Sequence, residues 1–178
     1  TITTGEITMS KKILDAARAI MDKEIEGLKN TRETLDEGFV QAVKLILNST
    51  GKVVVTGVGK SGLIGQKIAA TMASTGQVAV YMHPVDALHG DLGMVAPDDV
   101  VLAMSHSGQS VEILDIVLPI RRIGAKIVAM VGNPDSDLAV QSDCVIRLDV
   151  NEEADHLNLA PTSSRSEEHT SELQSLLI

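Results

Sequence analysis

Three stretches of the sequence gather side chains able to do chemistry. The first is Gly57-Val58-Gly59-Lys60-Ser61-Gly62. Its glycines let a backbone come close to an anion, a helix starting near Ser61 would offer free N–H groups, and the Lys60 ammonium stands beside them. The second is Ser105-His106-Ser107-Gly108-Gln109-Ser110, with Glu112 two residues further on. Hydroxyls around one glycine can give short hydrogen bonds to the oxygens of a phosphate monoester. The third holds His83, Asp86, His89 and Asp91. Imidazole and carboxylate both ligate zinc, but this spacing is not a recognised zinc signature. Contact of His89 with a ligand's hydroxyls is the preferred reading. No metal or other cofactor is required, and an inhibitory metal at His89 is the alternative.

Competing motifs fail on particular residues. Gly57, Gly59 and Gly62 formally spell a dinucleotide-binding fingerprint, which would want an acidic residue after the next strand. Tyr81-Met82-His83-Pro84 stands there. A P-loop would need glycine at position 54, which is Val54. Ser105 and His106 are adjacent and no nucleophile elbow accompanies them, so a hydrolase triad is not indicated. Glu112, in the first turn of a helix, suits either the helix dipole or proton transfer. The first glycine stretch could also be no more than a tight strand-to-helix turn.

The elements that must hold these residues are readable from periodicity. Residues 9–50 carry two apolar stripes at helical steps: Ile13, Leu14, Ala17, Met21, Ile25 and Leu28, then Leu35, Phe39, Val43, Ile46 and Leu47. A break at Lys29-Asn30-Thr31 predicts a helical hairpin. From Lys52 onward short β-branched runs alternate with helical patterns. Strands are expected at 52–56, 77–81, 99–104, 126–130 and 144–148, with helices at 63–74, 110–123 and 135–141 and a short helix or turn at 86–90. That alternation implies a five-stranded parallel sheet flanked by helices, an α/β fold. Ligands of such sheets sit at the carboxyl ends of the strands.

Composition removes several function classes. The 178 residues carry a formal net charge of −9, and Phe39 and Tyr81 are the only aromatics. Neither a phosphate-condensing surface nor a base-stacking platform is available, so nucleic acid is not an expected partner. No run approaches a membrane span and the first residues do not read as a signal peptide, so the expected compartment is the cytoplasm. Cys144 is the single cysteine and lies in a strand-like stretch, where it packs as a small hydrophobe.

Six segments together carry a resemblance: residues 57–62, 70–76, His83-Pro84, His89-Gly-Asp-Leu-Gly-Met94, Ser105-His-Ser-Gly108 and Leu159-Ala-Pro-Thr-Ser-Ser164. In this order and spacing the chain resembles the arabinose 5-phosphate isomerases, which are SIS-type sugar isomerases, over residues 10–164. The resemblance implies interconversion of D-arabinose 5-phosphate and D-ribulose 5-phosphate for Kdo synthesis. It implies catalytic roles for Lys60, Glu112 and Glu153, and for a histidine beyond the sequence given. The phosphate would be held by Ser105, Ser107 and Ser110, with Thr162, Ser163 and Ser164 from the Pro-Thr-Ser-Ser segment. Such enzymes are commonly homotetramers and commonly add two CBS domains. His106 and Gln109 stand where the family often has Asn and Glu, and the family's cysteine near Asp155 and His156 is missing. Residues 9–164 are thus expected to form an SIS domain, incomplete at its carboxyl end. The segment Arg165 to Ser175 resembles a translated sequencing adapter, so 165–178 is expected to be a non-native tail.

Overall fold

The structure, a computed structural model, describes residues 4–148. Glu153, Thr162, Ser163, Ser164 and the expected tail lie outside the described residues. In chain order the elements are α1 (Thr4–Glu33), α2 (Glu37–Asn48), β1 (Val53–Gly57), α3 (Gly59–Ser74), β2 (Ala79–Tyr81), α4 (Pro84–Leu88), β3 (Val100–Met104), α5 (Val111–Ile123), β4 (Lys126–Val131), α6 (Asp137–Val140) and β5 (Cys144–Arg147). A 3-10 turn, Asp91–Met94, follows α4.

The five strands form one sheet in the order β2-β1-β3-β4-β5, every pair parallel. The β-branched runs were the signal for this, because a parallel strand covered on both faces needs apolar residues at successive positions. Val53 and Val55 join the core beneath α2 and α3, while Val54 joins the core beneath α4, α5 and α6. The chain moves from β1 out to β2 and then returns to the other side of β1 to lay down β3. β1 and β3 therefore pair in register from Val53 opposite Val100 to Gly57 opposite Met104.

Two helices precede the sheet, as the stripes predict, but the break lies at Thr34–Asp36, later than Lys29-Asn30-Thr31. Local chemistry explains the shift. Thr31 is buried and its hydroxyl donates to the Gly27 carbonyl, so its polar group is satisfied inside α1 without a break there. Asp36 accepts from the Gly38 amide at 2.8 Å and caps α2. α2 then packs its Ala42 and Ile46 face on the sheet beside β5. The stripe of α1 stays uncovered: Ile13 and Met21 are each 61% exposed.

The amino ends of the strands are tied by Asp99, whose side chain is 2% exposed. It accepts from the Lys52 ammonium, the Lys52 amide at 2.9 Å and the Ala96 amide at 2.7 Å. Burial alone would raise its pKa, but these donors win and hold it below the ordinary value. Asp143, beside Lys126 at 2.9 Å, shows the same net direction against the same opposing burial. Both groups stay charged more readily folded than unfolded. Their contribution is complete above the ordinary aspartate range, about pH 4, and is lost as pH falls through the folded values. Asp99→Ala should cost about 2–4 kcal/mol at pH 7, because it leaves a half-buried lysine and two amides without their acceptor. Urea midpoints should fall between pH 6 and pH 3.5 in the parent chain, and less steeply in the variant.

Candidate functional site

The order reversal at β1 places the β1–α3 and β3–α5 loops side by side at the carboxyl rim, where diverging loops leave a crevice. Helix α3 begins at Gly59, four residues earlier than periodicity suggests, so Lys60 and Ser61 lie in its first turn. Its N-cap is Val58, which has no side chain able to cap. Helix α5 begins after Ser110, which also makes no side-chain cap. The Ser110 hydroxyl instead lies 2.9 Å from the Ser105 hydroxyl. Asp36, His83 and Ser136, by contrast, cap α2, α4 and α6 with their side chains. The two helices entering at the reversal are thus left with first-turn amides unspent, at the positive ends of their dipoles.

The serine turn is built to hold its shape. The Gly108 amide donates to both the carbonyl and the hydroxyl oxygen of Ser105, at 3.0 and 3.1 Å. The Gln109 amide donates to Ser107 Oγ at 3.2 Å. The Ser105 amide donates to the Met130 carbonyl and the Gly132 amide to the His106 carbonyl, which fasten the turn to β4 and its exit loop. Below, the Leu138 amide donates to the Gly108 carbonyl at 3.1 Å. Turned so that both partners are satisfied, the Gln109 side-chain amide donates to Asp137 Oδ2 at 2.9 Å and accepts from the Asp137 amide at 3.2 Å. Gly108 has φ +65°, and a Cβ there would meet Ser136 Oγ at 1.9 Å and its Cβ at 2.3 Å. Gly108→Ala should therefore cost about 2–4 kcal/mol and displace the turn. Adding Ser136→Ala should not restore it, since the Cβ clash remains; chemical denaturation of the single and double variants checks both.

Of the residues singled out in the sequence, Gly59, Lys60, Ser61, Ser105, Ser107, Ser110 and Glu112 all come to this rim, on two adjacent loops. Lys60 is exposed and Glu112 half-buried. Among the described residues neither forms an ion pair with another side chain. His89 is exposed at the end of α4, and no described hydrogen bond joins it to the serine turn. His83 Nδ1 accepts from the Val85 amide at 3.3 Å, a capping role. Among the described residues no three His, Cys, Asp or Glu side chains converge as a metal site. No described helix is long and apolar enough to cross a membrane. Cys144 is buried; burial, and then the charge of Asp143, push its thiol up to about 11, so little thiolate exists at neutral pH.

A cavity of about 570 Å³ opens at the other end of the sheet, lined by Leu45, Asn48, Pro97, Val100, Lys126 and Cys144 among others. None of the singled-out rim residues borders it. Its Lys126 pairs with Asp143 and its Lys44 lies 3.8 Å from Glu37; the paired uncapped helix starts place the candidate site at the carboxyl rim instead. Two residues there escape sequence reasoning. Ser136 supports Gly108 from α6, and the Asn-Pro-Asp-Ser run that it ends was a legible cap signal. Tyr81 packs on α3, and the paired glycines Gly62 and Gly65, one helical turn apart, were its trace.

Comparison with known proteins agrees with this fold. The SIS domain model matches residues 46–177. Arabinose 5-phosphate isomerase KdsD of Pseudomonas aeruginosa is 44% identical over 151 residues, which are 85% of this chain and 46% of that protein. Arabinose 5-phosphate isomerase GutQ of Escherichia coli K12 is 45% identical over 157 residues, 88% of this chain and 49% of that protein. The chain thus spans about half the length of the curated relatives it matches. Among solved structures, E. coli CFT073 c3406 in complex with arabinose 5-phosphate superposes with a TM-score of 0.88 at 35% identity, covering 93% of this chain and 89% of that one. Phosphoheptose isomerase GmhA from Neisseria gonorrhoeae shares the fold, with a TM-score of 0.68 at 20% identity, covering 93% of this chain and 97% of that one. The five-stranded parallel sheet, the rim of free amides and hydroxyls, and these matches together show that the chain belongs to the SIS domain family.

Proposed function

We propose that this chain is the isomerase domain of an aldose–ketose isomerase that interconverts D-arabinose 5-phosphate and D-ribulose 5-phosphate, the step that feeds Kdo synthesis. The observation that carries the reading is the pair of uncapped helix starts at the sheet reversal, α3 and α5, with hydroxyls and Lys60 between them. Amides and hydroxyls suit the dianion of a phosphate monoester in a chain whose overall charge is negative, because the attraction is local. The curated relatives named above are arabinose 5-phosphate isomerases, and the c3406 structure holds arabinose 5-phosphate.

The chemistry follows from those positions. A carboxylate, Glu112 or Glu153, takes the proton from C2 of the aldose, and the C1 oxygen gains charge as the enediol forms. Lys60 offsets that charge. The hydroxyl proton passes from the C2 oxygen to the C1 oxygen and the carbon-bound proton is returned at C1, which leaves a carbonyl at C2 and a hydroxyl at C1. Phosphate contacts come from Gly59, Ser61, Ser105, Ser107 and Ser110, with Thr162, Ser163 and Ser164 as further donors, and His89 meets sugar hydroxyls. No cofactor takes part.

The uncovered α1 stripe, including Met9, Ile13, Leu14, Met21 and Ile25, fits burial against further copies of the chain, in a cytoplasmic homotetramer. Thirty helical residues span about 45 Å, a long seam for such a contact.

The test is turnover of D-ribulose 5-phosphate against hexulose phosphates by the full-length protein, followed as aldose formation. Preferential conversion of the pentose phosphate supports the reading. Tight binding with no turnover would replace it with a sugar-phosphate sensor, the second reading that SIS domains allow.

A further inference from the structure

We infer that Tyr81 is a positioning residue for the Lys60 turn, an inference that rests on the phosphate-site reading above. Tyr81 is the one tyrosine of the chain and the last residue of β2, opposite Val55 of β1. Its hydroxyl donates to the Gly57 carbonyl at 2.7 Å. Gly57 is where β1 ends and the chain turns toward Lys60.

Helix α3 makes room for this contact. A Cβ at Gly62 would lie 2.7 Å from the Tyr81 hydroxyl, and one at Gly65 would lie 3.2 Å from the ring. The tyrosine is therefore seated between the end of β1 and the first two turns of α3. Gly57 is itself pressed against Ser61 and Gly62, where an added Cβ would meet backbone at 3.0–3.1 Å. One hydrogen bond to the Gly57 carbonyl fixes the peptide plane from which the Gly59, Lys60 and Ser61 amides fan out. Burial, and then the charge of Asp86, raise the pKa of the phenol, so it stays a donor at neutral pH. Tyr81 touches no reacting atom in this role; it holds the donors that do.

Tyr81→Phe keeps the ring and removes the hydroxyl that tethers the Gly57 carbonyl and meets the Gln66 side chain. Amide exchange at Gly62, whose N–H donates to the Val58 carbonyl at 3.3 Å, should become about tenfold faster while the amides of β4 keep their rates. Affinity for D-arabinose 5-phosphate, and for inorganic phosphate, should weaken about five- to tenfold by calorimetry, with KM rising. Unchanged exchange at Gly62 overturns the inference, and so does faster exchange with parental affinity. Were the parent chain to bind no sugar phosphate, the functional reading would fall instead, and the exchange measurement would still decide the tether.

Discussion

Lys60→Met should lower kcat/KM for D-arabinose 5-phosphate by about 10²–10³-fold while the melting midpoint stays within about 2 °C of the parent. Both halves of that expectation come from the same facts. Lys60 is exposed in the first turn of α3 and joins no ion pair among the described residues, so its charge supports no neighbour. Methionine keeps most of the apolar stem and suits a helix. What disappears is a cation at the rim where the substrate's charge grows. An ammonium useful mainly to phosphate would raise KM alone, whereas one that meets the enediolate oxygen lowers kcat. A drop in kcat is the expected result; parental kinetics would remove Lys60 from the mechanism.

Glu112→Gln should cost about 10²–10⁴-fold in kcat, the range for losing a positioned proton carrier. The helix dipole gives the ordinary explanation for a carboxylate at this place, and the two explanations diverge sharply. If Glu112 serves only the dipole of α5, glutamine lowers stability by under about 1 kcal/mol and leaves turnover intact. A carboxylate that is half-buried and has no described salt-bridge partner fits the proton carrier better. Glu153→Gln provides the companion measurement. Equal losses in both variants would mean that both carboxylates handle the proton, and a loss in one alone would assign the base.

Much of this arrangement was legible because it rests on chemistry local in sequence. The β-branched runs at Val53–Val55, Val100–Val101 and Ile127–Val128 mark strands buried on both faces. Ser105 to Ser110 is contiguous, so its role as a turn was visible before any fold was known. What sequence hid depends on partners far along the chain. The start of α3 at Gly59 was missed because glycine reads as a breaker, yet the tight return of Gly57 on Ser61 and Gly62 makes it the first helical residue. The break before α2 shifted because the Thr31 hydroxyl finds its partner, the Gly27 carbonyl, within α1, and Asp36 caps α2. Tyr81 meets Gly57, Gly62 and Gly65, and Ser136 meets Gly108, across whole intervening elements that no local pattern spans. The short 3-10 turn at Asp91–Met94 has no apolar period to announce it.

The central claim is that sugar phosphate is bound by the free helix starts at the carboxyl rim. Amide chemical-shift mapping of the full chain with D-arabinose 5-phosphate, and with D-arabinose as the phosphate-free control, tests it most directly. Shifts at Gly59–Ser61 and at Val111–Glu112 that require the phosphate are the expected result. Shifts centred instead on Leu45, Asn48 and Val100, around the cavity at the opposite rim, would contradict it.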